Sequence, residues 1–271
     1  MPWQAVVEKI TDFIRNTVEG AGAEGVVVGV SGGVDSACVA KLCTMALGSE
    51  RVFALIMPEK GVTPEEDVED ALKLCEELGV ESRTLEISPA VSSICDLLKC
   101  ERKGIPFANI KPRVRMILLY YHANSMNRLV AGTGNRSELL AGYFTKYGDG
   151  GVDFLPIGDL YKTEVFQLAE YLGIPERIRK KKPSARLWSG QTDEGEMGIS
   201  YSELDSVLMA MEELGLLEKV ERGEIGEDGI EAIVGKSGVD SRKVELVAGM
   251  VKSSAHKRYM PPSASVRDLL R

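Results

Sequence analysis

Histidine is scarce: His122 and His256 are the only two among 271 residues. Catalysis led by a Ser/His or Cys/His pair therefore has little to work with. Cysteine is sparse too, with five (Cys38, Cys43, Cys75, Cys95 and Cys100), an odd number that never forms Cys-x-x-Cys. That pattern argues against a disulfide framework and a zinc site, and fits buried thiols in a reduced cytoplasm. Positive charge is not in surplus, and a formal net charge of -8 disfavours general affinity for nucleic acid or a membrane surface. An anionic substrate then needs a local basic pocket. No run of about 18 apolar residues exists, so nothing reads as a membrane span. Repeats and Pro- or Ser-rich linkers are missing as well, and residues 1–271 read as a single domain.

What the chain does have is alternation. Residues 1–20 form an amphipathic helix rather than a signal peptide, with Trp3, Val6, Val7, Ile10, Phe13, Ile14 and Val18 on one face and Gly20 at its end. Strand-like runs at 25–30, 51–57, 81–87, 128–132 and 153–158 alternate with helical patterns at 35–47, 63–79, 89–100, 112–127 and 162–173. The second helix opens with a capping-box pattern, Thr63 to Glu66, with Pro64 at the first helical position, and closes at Gly79. Such alternation predicts an α/β fold: a parallel sheet with helices on both faces and right-handed crossovers. Segments 177–188 and 190–198 read as loop, the first basic and the second acidic. From Ser202 the chain is mostly helical, with Leu204, Val207, Leu208, Met211 and Leu214 on one stripe.

The stretch VVVGVSGGVDSACVAKL, residues 26–42, carries the most chemistry. An apolar strand, a Gly-rich turn and a helix arrive in the order that a helix-terminus anion site needs. Backbone N–H groups from Ser31 to Val34 are then expected to face a pyrophosphate. The lysine of the familiar phosphate loop is missing, and Asp35 stands in that region instead. A carboxylate 4 Å from phosphate costs about 1–4 kcal/mol in aqueous to surface-like surroundings. Mg²⁺ between the two turns that repulsion into attraction, so the loop predicts a metal.

SGGVDS resembles the loop of the ATP pyrophosphatases, which split ATP between its α and β phosphates. The stretch 129–165, LVAGTGNRSELLAGYFTKYGDGGVDFLPIGDLYKTEV, together with KPRVRM, KKPSARLWSGQTDEGEMG and AHKRYMPP, is similar to the NAD synthetases of that group. The resemblance covers nearly the whole chain. It implies a Rossmann-like, adenine nucleotide α-hydrolase-like sheet: an ATP pyrophosphatase core over about 20–175, then a loop and helical portion over about 176–271.

By resemblance, Asp35 and Glu138 hold Mg²⁺, and ATP contacts Gly29, Val30, Ser31, Gly32, Gly33, Val34, Asp35, Ser36, Thr133, Lys162 and Ser184. Lys162 is then a mobile cation that stabilises departing pyrophosphate. Arg113, Lys146, Asp153, His256 and Lys257 match positions that hold deamido-NAD, the last two across a dimer or within one chain. Arg113 and Arg115 are two apart on a helix, so at most one faces a given ligand. RIRKKK (177–182) is read as a solvated face and given no role. Segment 190–198 is expected to be a mobile lid that orders over the nucleotide.

The implied reaction is amidation of deamido-NAD to NAD through an acyl-adenylate, releasing AMP and pyrophosphate. No enzyme nucleophile is required, in keeping with the shortage of histidine. Glutamine-dependent relatives carry a long amidase domain ahead of the phosphate loop, and here the loop begins at Ser31. Free ammonia is therefore the expected nitrogen source, with a separate glutaminase subunit acting in trans left open. The other expectations are a homodimer, a cytoplasmic enzyme and no nucleic-acid or membrane partner. Two rivals share SGGVDS: another adenylating enzyme of the group, such as a tRNA-modifying thiolase or a GMP synthetase, and a non-catalytic ATP-binding regulatory module. Neither needs GTGNRSE and GQTDE as well.

Overall fold

In the computed structural model, residues 2–270 are described. Four strands, β1 (Gly25–Gly29), β2 (Val52–Ile56), β3 (Glu81–Thr84) and β4 (Arg128–Ala131), form one parallel sheet in the order β3-β2-β1-β4. The helices are α1 (Trp3–Gly20), α2 (Val34–Leu47), α3 (Glu65–Leu78), α4 (Ser88–Leu98), α5 (Gly104–Ala108), α6 (Ile110–Ser125) and α7 (Arg136–Ala141). They continue with α8 (Lys162–Tyr171), α9 (Glu176–Arg179), α10 (Asp193–Met197), α11 (Tyr201–Glu213), α12 (Leu217–Arg222), α13 (Glu227–Ser237) and α14 (Ser241–Arg258).

The central strands are apolar at every position because both of their faces are covered. Val26 and Val28 of β1 join Val52, Ala54 and Ile56 of β2 in a core closed by α1, α2, α3 and α8. Val27, Phe53 and Leu55 point the other way, into a second core with Val91 of α4 and Val114 and Ala123 of α6. The period-2 alternation of a strand thus feeds two cores at once. From β1 the chain steps outward to β2 and β3, then returns to place β4 on the other side of β1. That reversal is a topological switch point, and ligands of open parallel sheets bind beyond the carboxyl ends of the strands that flank it. The segments leaving β1 and β4 there are SGGVDS and GTGNRSE.

The chain groups into two compact units, one holding everything up to Glu138 plus Phe144–Asp205, the other Leu139–Tyr143 plus the residues from Ser206. Sheet and both cores belong to the first. The second is helical, with Val220, Ile233, Val244, Val247 and Val251 buried. Its polar hub is Arg258, which lies 2.6 Å from Glu221 and donates to the carbonyls of Leu139 and Leu140. Among the described residues no helix is long and apolar enough to cross a membrane.

Several expectations are corrected. Segment 153–158 is not a strand: Pro156 and Gly158 interrupt it, and only a bridge from Ala131 to Phe154 survives. The Thr63 capping box does not form, since Pro64 is the N-cap and the Thr63 hydroxyl accepts from the Glu59 N–H at 3.0 Å. The long helix starts at Ile110, two residues early, and keeps Pro112 in its first turn. Phe13 is 45 % exposed, so the buried face of α1 is Val7, Thr11, Ile14 and Val18. Leu214 falls past the end of α11 and is also exposed. Cys95 and Cys100 are joined in a disulfide across the end of α4, their Cα atoms 5.2 Å apart, while Cys38, Cys43 and Cys75 are buried free thiols. Two cysteines five apart can meet where a helix ends, a closure that spacing rules for frameworks do not register.

Candidate functional site

The SGGVDS loop turns on a glycine whose position leaves no room for a side chain. Gly32 has φ +79°, and a Cβ there would lie 2.2 Å from the Asp67 carbonyl oxygen. Gly33 is the N-cap of α2, which puts Asp35 in its first turn. The Ser31 N–H donates to the Ser36 hydroxyl at 3.2 Å and the Gly33 N–H to the Ser31 hydroxyl at 3.3 Å. Ser36 in turn donates to the Gly33 carbonyl. Two of the expected phosphate-facing donors are thus held by hydroxyls of the same loop.

At the start of α7, Asn135 and Glu138 form a reciprocal cap. The Glu138 N–H donates to the Asn135 side-chain oxygen at 3.0 Å, and the Asn135 N–H donates to the Glu138 carboxylate at 3.3 Å. The other end of the Asn135 side chain donates to Asp35 Oδ1 at 2.9 Å. One buried residue therefore holds both carboxylates, Asp35 through its side-chain amide and Glu138 through its backbone N–H.

Lys162 completes the arrangement. Its Nζ lies 2.5 Å from Asp35 Oδ2 and 3.2 Å from Glu138 Oε1. The residue is 1 % exposed, which corrects its reading as a mobile cation. Its backbone is pinned as well: the Lys162 N–H donates to the Ser137 hydroxyl at 2.8 Å, Ser137 donates to Asp205, and Asp205 accepts from the Thr163 N–H at 2.8 Å. Aromatic rings of Tyr201 and Phe166 face the ammonium at 5.1 and 6.0 Å. The Tyr201 hydroxyl donates to Asp193 at 3.0 Å and lies 3.5 Å from Glu138.

Three carboxyls, Asp35, Glu138 and Asp193, act on this one ammonium. Burial first, then Asp35 and Asp193, raises the Glu138 carboxyl to about 7 against the opposing pull of Lys162. Burial would lower Lys162, but Asp35 and Glu138 overcome it and hold the ammonium above the ordinary lysine range. Burial, then the same carboxyls, keeps Tyr201 protonated.

The remaining candidates divide. Thr133 is half-buried two residues after β4. Ser184 donates to the Gln191 carbonyl at 2.7 Å. Arg113 is exposed and donates to the Lys146 carbonyl at 3.3 Å, whereas Arg115 turns inward to the Met57 carbonyl at 3.1 Å, as their two-residue spacing requires. The Asp153 carboxylate accepts from the Val130 N–H at 2.7 Å and from the Tyr120 hydroxyl at 3.0 Å. His256 and Lys257 lie on α14 in the second unit, where Lys257 donates to the Gly142 carbonyl at 2.8 Å.

Segment 190–198 is not bare loop. Thr192 caps α10, and Gln191 and Asp193 are buried. RIRKKK is not merely a solvated face either, because Arg177 and Lys181 reach acids on α3. Asn135, Ser137, Asp193, Tyr201 and Asp205 were missed from the sequence. Only Asn135 had a local signal, the Asn-x-x-Glu spacing of a capping box.

The NAD synthase family's sequence model matches residues 6–261. The NH(3)-dependent NAD(+) synthetase of Archaeoglobus fulgidus is 62 % identical over 270 residues, all of both chains. Among solved structures, the NH3-dependent NAD synthetase of Campylobacter jejuni, in complex with nitrate, is 36 % identical with a TM-score of 0.78, covering 98 % of this chain and 100 % of that one. NMN synthetase from Francisella tularensis is 34 % identical with a TM-score of 0.82, covering 97 % and 99 %. With a match over most of its length and a full-length relative at this identity, the chain belongs to the NAD synthase family.

Proposed function

We propose that the protein is an ammonia-dependent NAD synthetase, a ligase that amidates deamido-NAD at the expense of ATP in the last step of NAD biosynthesis. One observation carries the chemistry: a buried ammonium facing three carboxyls beside the loops that leave β1 and β4. This is a charge-handling site with no nucleophile in it, suited to bringing two anionic substrates together and stabilising charge as it moves.

The nicotinate carboxylate attacks the α-phosphorus of ATP, giving an acyl-adenylate and pyrophosphate. Ammonia then attacks the acyl carbon and AMP leaves. In this reading Gly29 to Ser36, Thr133, Lys162 and Ser184 contact ATP, with Lys162 facing the departing pyrophosphate. Arg113, Lys146 and Asp153 contact deamido-NAD, and Arg113 and Lys146 already meet. His256 and Lys257 are assigned to the same substrate on the resemblance alone. Asp193 and Tyr201 hold segment 190–198 in place, which favours a rim that excludes water from the adenylate.

Mg²⁺ fits these residues. Among the described residues no three side chains form a ready-made metal cluster, but the excess of carboxyl over ammonium charge suits a hard divalent cation that takes its other oxygens from phosphate or water. Asp35 and Glu138 would hold it, and when bound it would neutralise phosphate oxygen charge. Assembly as a cytoplasmic homodimer is part of the proposal. Exposed Leu97 and Leu98 on α4, Ile105 on α5, and Ile117 and Tyr121 one turn apart on α6 favour it. Light scattering that returns a monomer would remove the dimer.

The deciding assay combines purified protein, Mg²⁺-ATP, deamido-NAD and either ammonium or glutamine. NAD and AMP are expected with ammonium and not with glutamine. Folded protein that binds ATP but makes no NAD from either donor overturns the assignment.

A further inference from the structure

Beyond the Lys162 site, the densest cluster of ionisable side chains joins α3 to segment 177–186. Asp67 and Asp70, three residues apart on α3, are 4 % and 7 % exposed. Lys181 Nζ lies 2.7 Å from Asp67 Oδ1 and 2.7 Å from Asp70 Oδ2. Arg186 Nε is 2.9 Å from Asp67 Oδ2, and Arg177 Nε is 2.7 Å from Asp70 Oδ1. Buried acids of this kind cost desolvation and are weak evidence of a purely stabilising role.

The two acids differ in what else they touch. Asp70 and Glu77 share Arg177, and with Lys181 they already tie α3 to the 177–181 segment. Asp67 has a second contact that such a tie does not need. Its carbonyl oxygen lies against the phosphate loop, so close to Gly32 that only a residue without Cβ fits. Its carboxylate meanwhile holds Lys181 and Arg186, which bracket Ser184 in the chain. Ser184 is locked between them: its hydroxyl accepts from the Arg186 N–H at 3.2 Å and donates to Gln191.

We propose that Asp67 is a positioning residue for ATP: its backbone abuts the phosphate loop while its carboxylate seats the segment that carries Ser184, so both halves of the nucleotide site keep one spacing. The inference rests on the reading of Ser184 as an ATP contact. Asp67 touches neither reacting atom. It acts through Gly32 on one side and through Lys181 and Arg186 on the other.

The test is steady-state kinetics on the full chain with each substrate varied in turn. Asp67→Asn should raise KM for ATP about tenfold, with KM for deamido-NAD within about twofold of the parent. Arg186→Gln, which keeps the buried acid and one cation on it, should raise KM for ATP by about threefold or more and decides the matter if Asp67→Asn does not fold. Arg177→Gln, which breaks only the Asp70 and Glu77 contacts, should leave KM for ATP within about twofold. The proposal falls if KM for ATP is unchanged in Asp67→Asn and Arg186→Gln. It also falls if both substrates weaken together, or if Arg177→Gln behaves like Asp67→Asn. Ser184→Ala separates the underlying reading: normal ATP kinetics there alongside a raised KM in Asp67→Asn removes Ser184 as a contact and keeps Asp67 as the spacer.

Discussion

Two lysines of the first unit are buried to nearly the same extent and surrounded very differently. Lys111, 3 % exposed at the start of α6, meets one carboxylate, Glu59, at 2.8 Å, with the Leu187 carbonyl as acceptor and the Phe107 ring 5.2 Å away. Lys162 meets Asp35 and Glu138 directly and lies in the field of Asp193. At the first ammonium, acid does not outnumber base: Glu59 is the carboxylate in contact with Lys111 and also lies in the field of the buried Arg115 guanidinium. The second is outnumbered, and the surplus shows as a Glu138 carboxyl that burial, Asp35 and Asp193 push toward neutrality even with an ammonium beside it. A balanced pair is complete and has a structural reason to exist. An unbalanced one is eased by protons or cations supplied from outside, as the proposed Mg²⁺-ATP site would need.

Breaking the balanced pair should have the larger energetic effect. Lys111→Met removes the cation in direct contact with Glu59 and should destabilise the fold by about 3–5 kcal/mol in denaturant unfolding. Adding Glu59→Leu to the same chain should recover much of that loss, since a buried pair is often replaceable by apolar packing. If the single variant is as stable as the parent, the pair is not structural and the contrast collapses. At the unbalanced site, Lys162→Met should lower kcat by about 10²–10³ with the fold retained, as loss of one preorganised charge does elsewhere. A kcat within a few-fold of the parent would deny Lys162 its role.

The smallest effect sharpens the charge argument. Burial, with Asp35 and Asp193 beside it, pushes the folded Glu138 carboxyl above the ordinary carboxylate range to about 7, so the native state binds an extra proton in the window between the two. Stability of the metal-free protein should therefore fall as pH rises through that window and level off above it. Glu138→Gln should flatten the fall while cutting turnover severely. A stability profile identical in parent and variant would mean that Glu138 carries no surplus.

How much of this was legible in the sequence follows from the range of each interaction. Continuous apolar runs at 25–30 and 51–57 gave β1 and β2 because a strand covered on both faces has nothing polar to show. Helices α2 and α8 emerged with their ends nearly right, and Asp35, Glu138 and Lys162, named by resemblance, meet within hydrogen-bond distance. Segment 153–158 has strand-like residues but also Pro156, and backbone pairing was lost to it. Asp193 and Tyr201 were hidden for a different reason. They meet each other across eight residues, but the groups they surround, Lys162, Glu138 and Asp35, lie 31 to 166 residues away, and no local pattern encodes a cluster that assembles only after the sheet has formed. The basic run at 177–182 misled for the same reason, because its matching acids lie on α3.

Asn135 gives the site a characteristic way to age. Its amide works in one orientation only, nitrogen toward Asp35 and oxygen toward the Glu138 N–H. Hydrolysis of that amide to Asp would change almost nothing in shape. It would swap a donor for a fourth acid beside an ammonium already outnumbered, and push Asp35 away from the position it is held in. Such a lesion would leave a protein that still folds but has lost the side-chain donor that holds Asp35 in place. Chemical wear at one neutral residue would thus silence the enzyme long before it unfolded it.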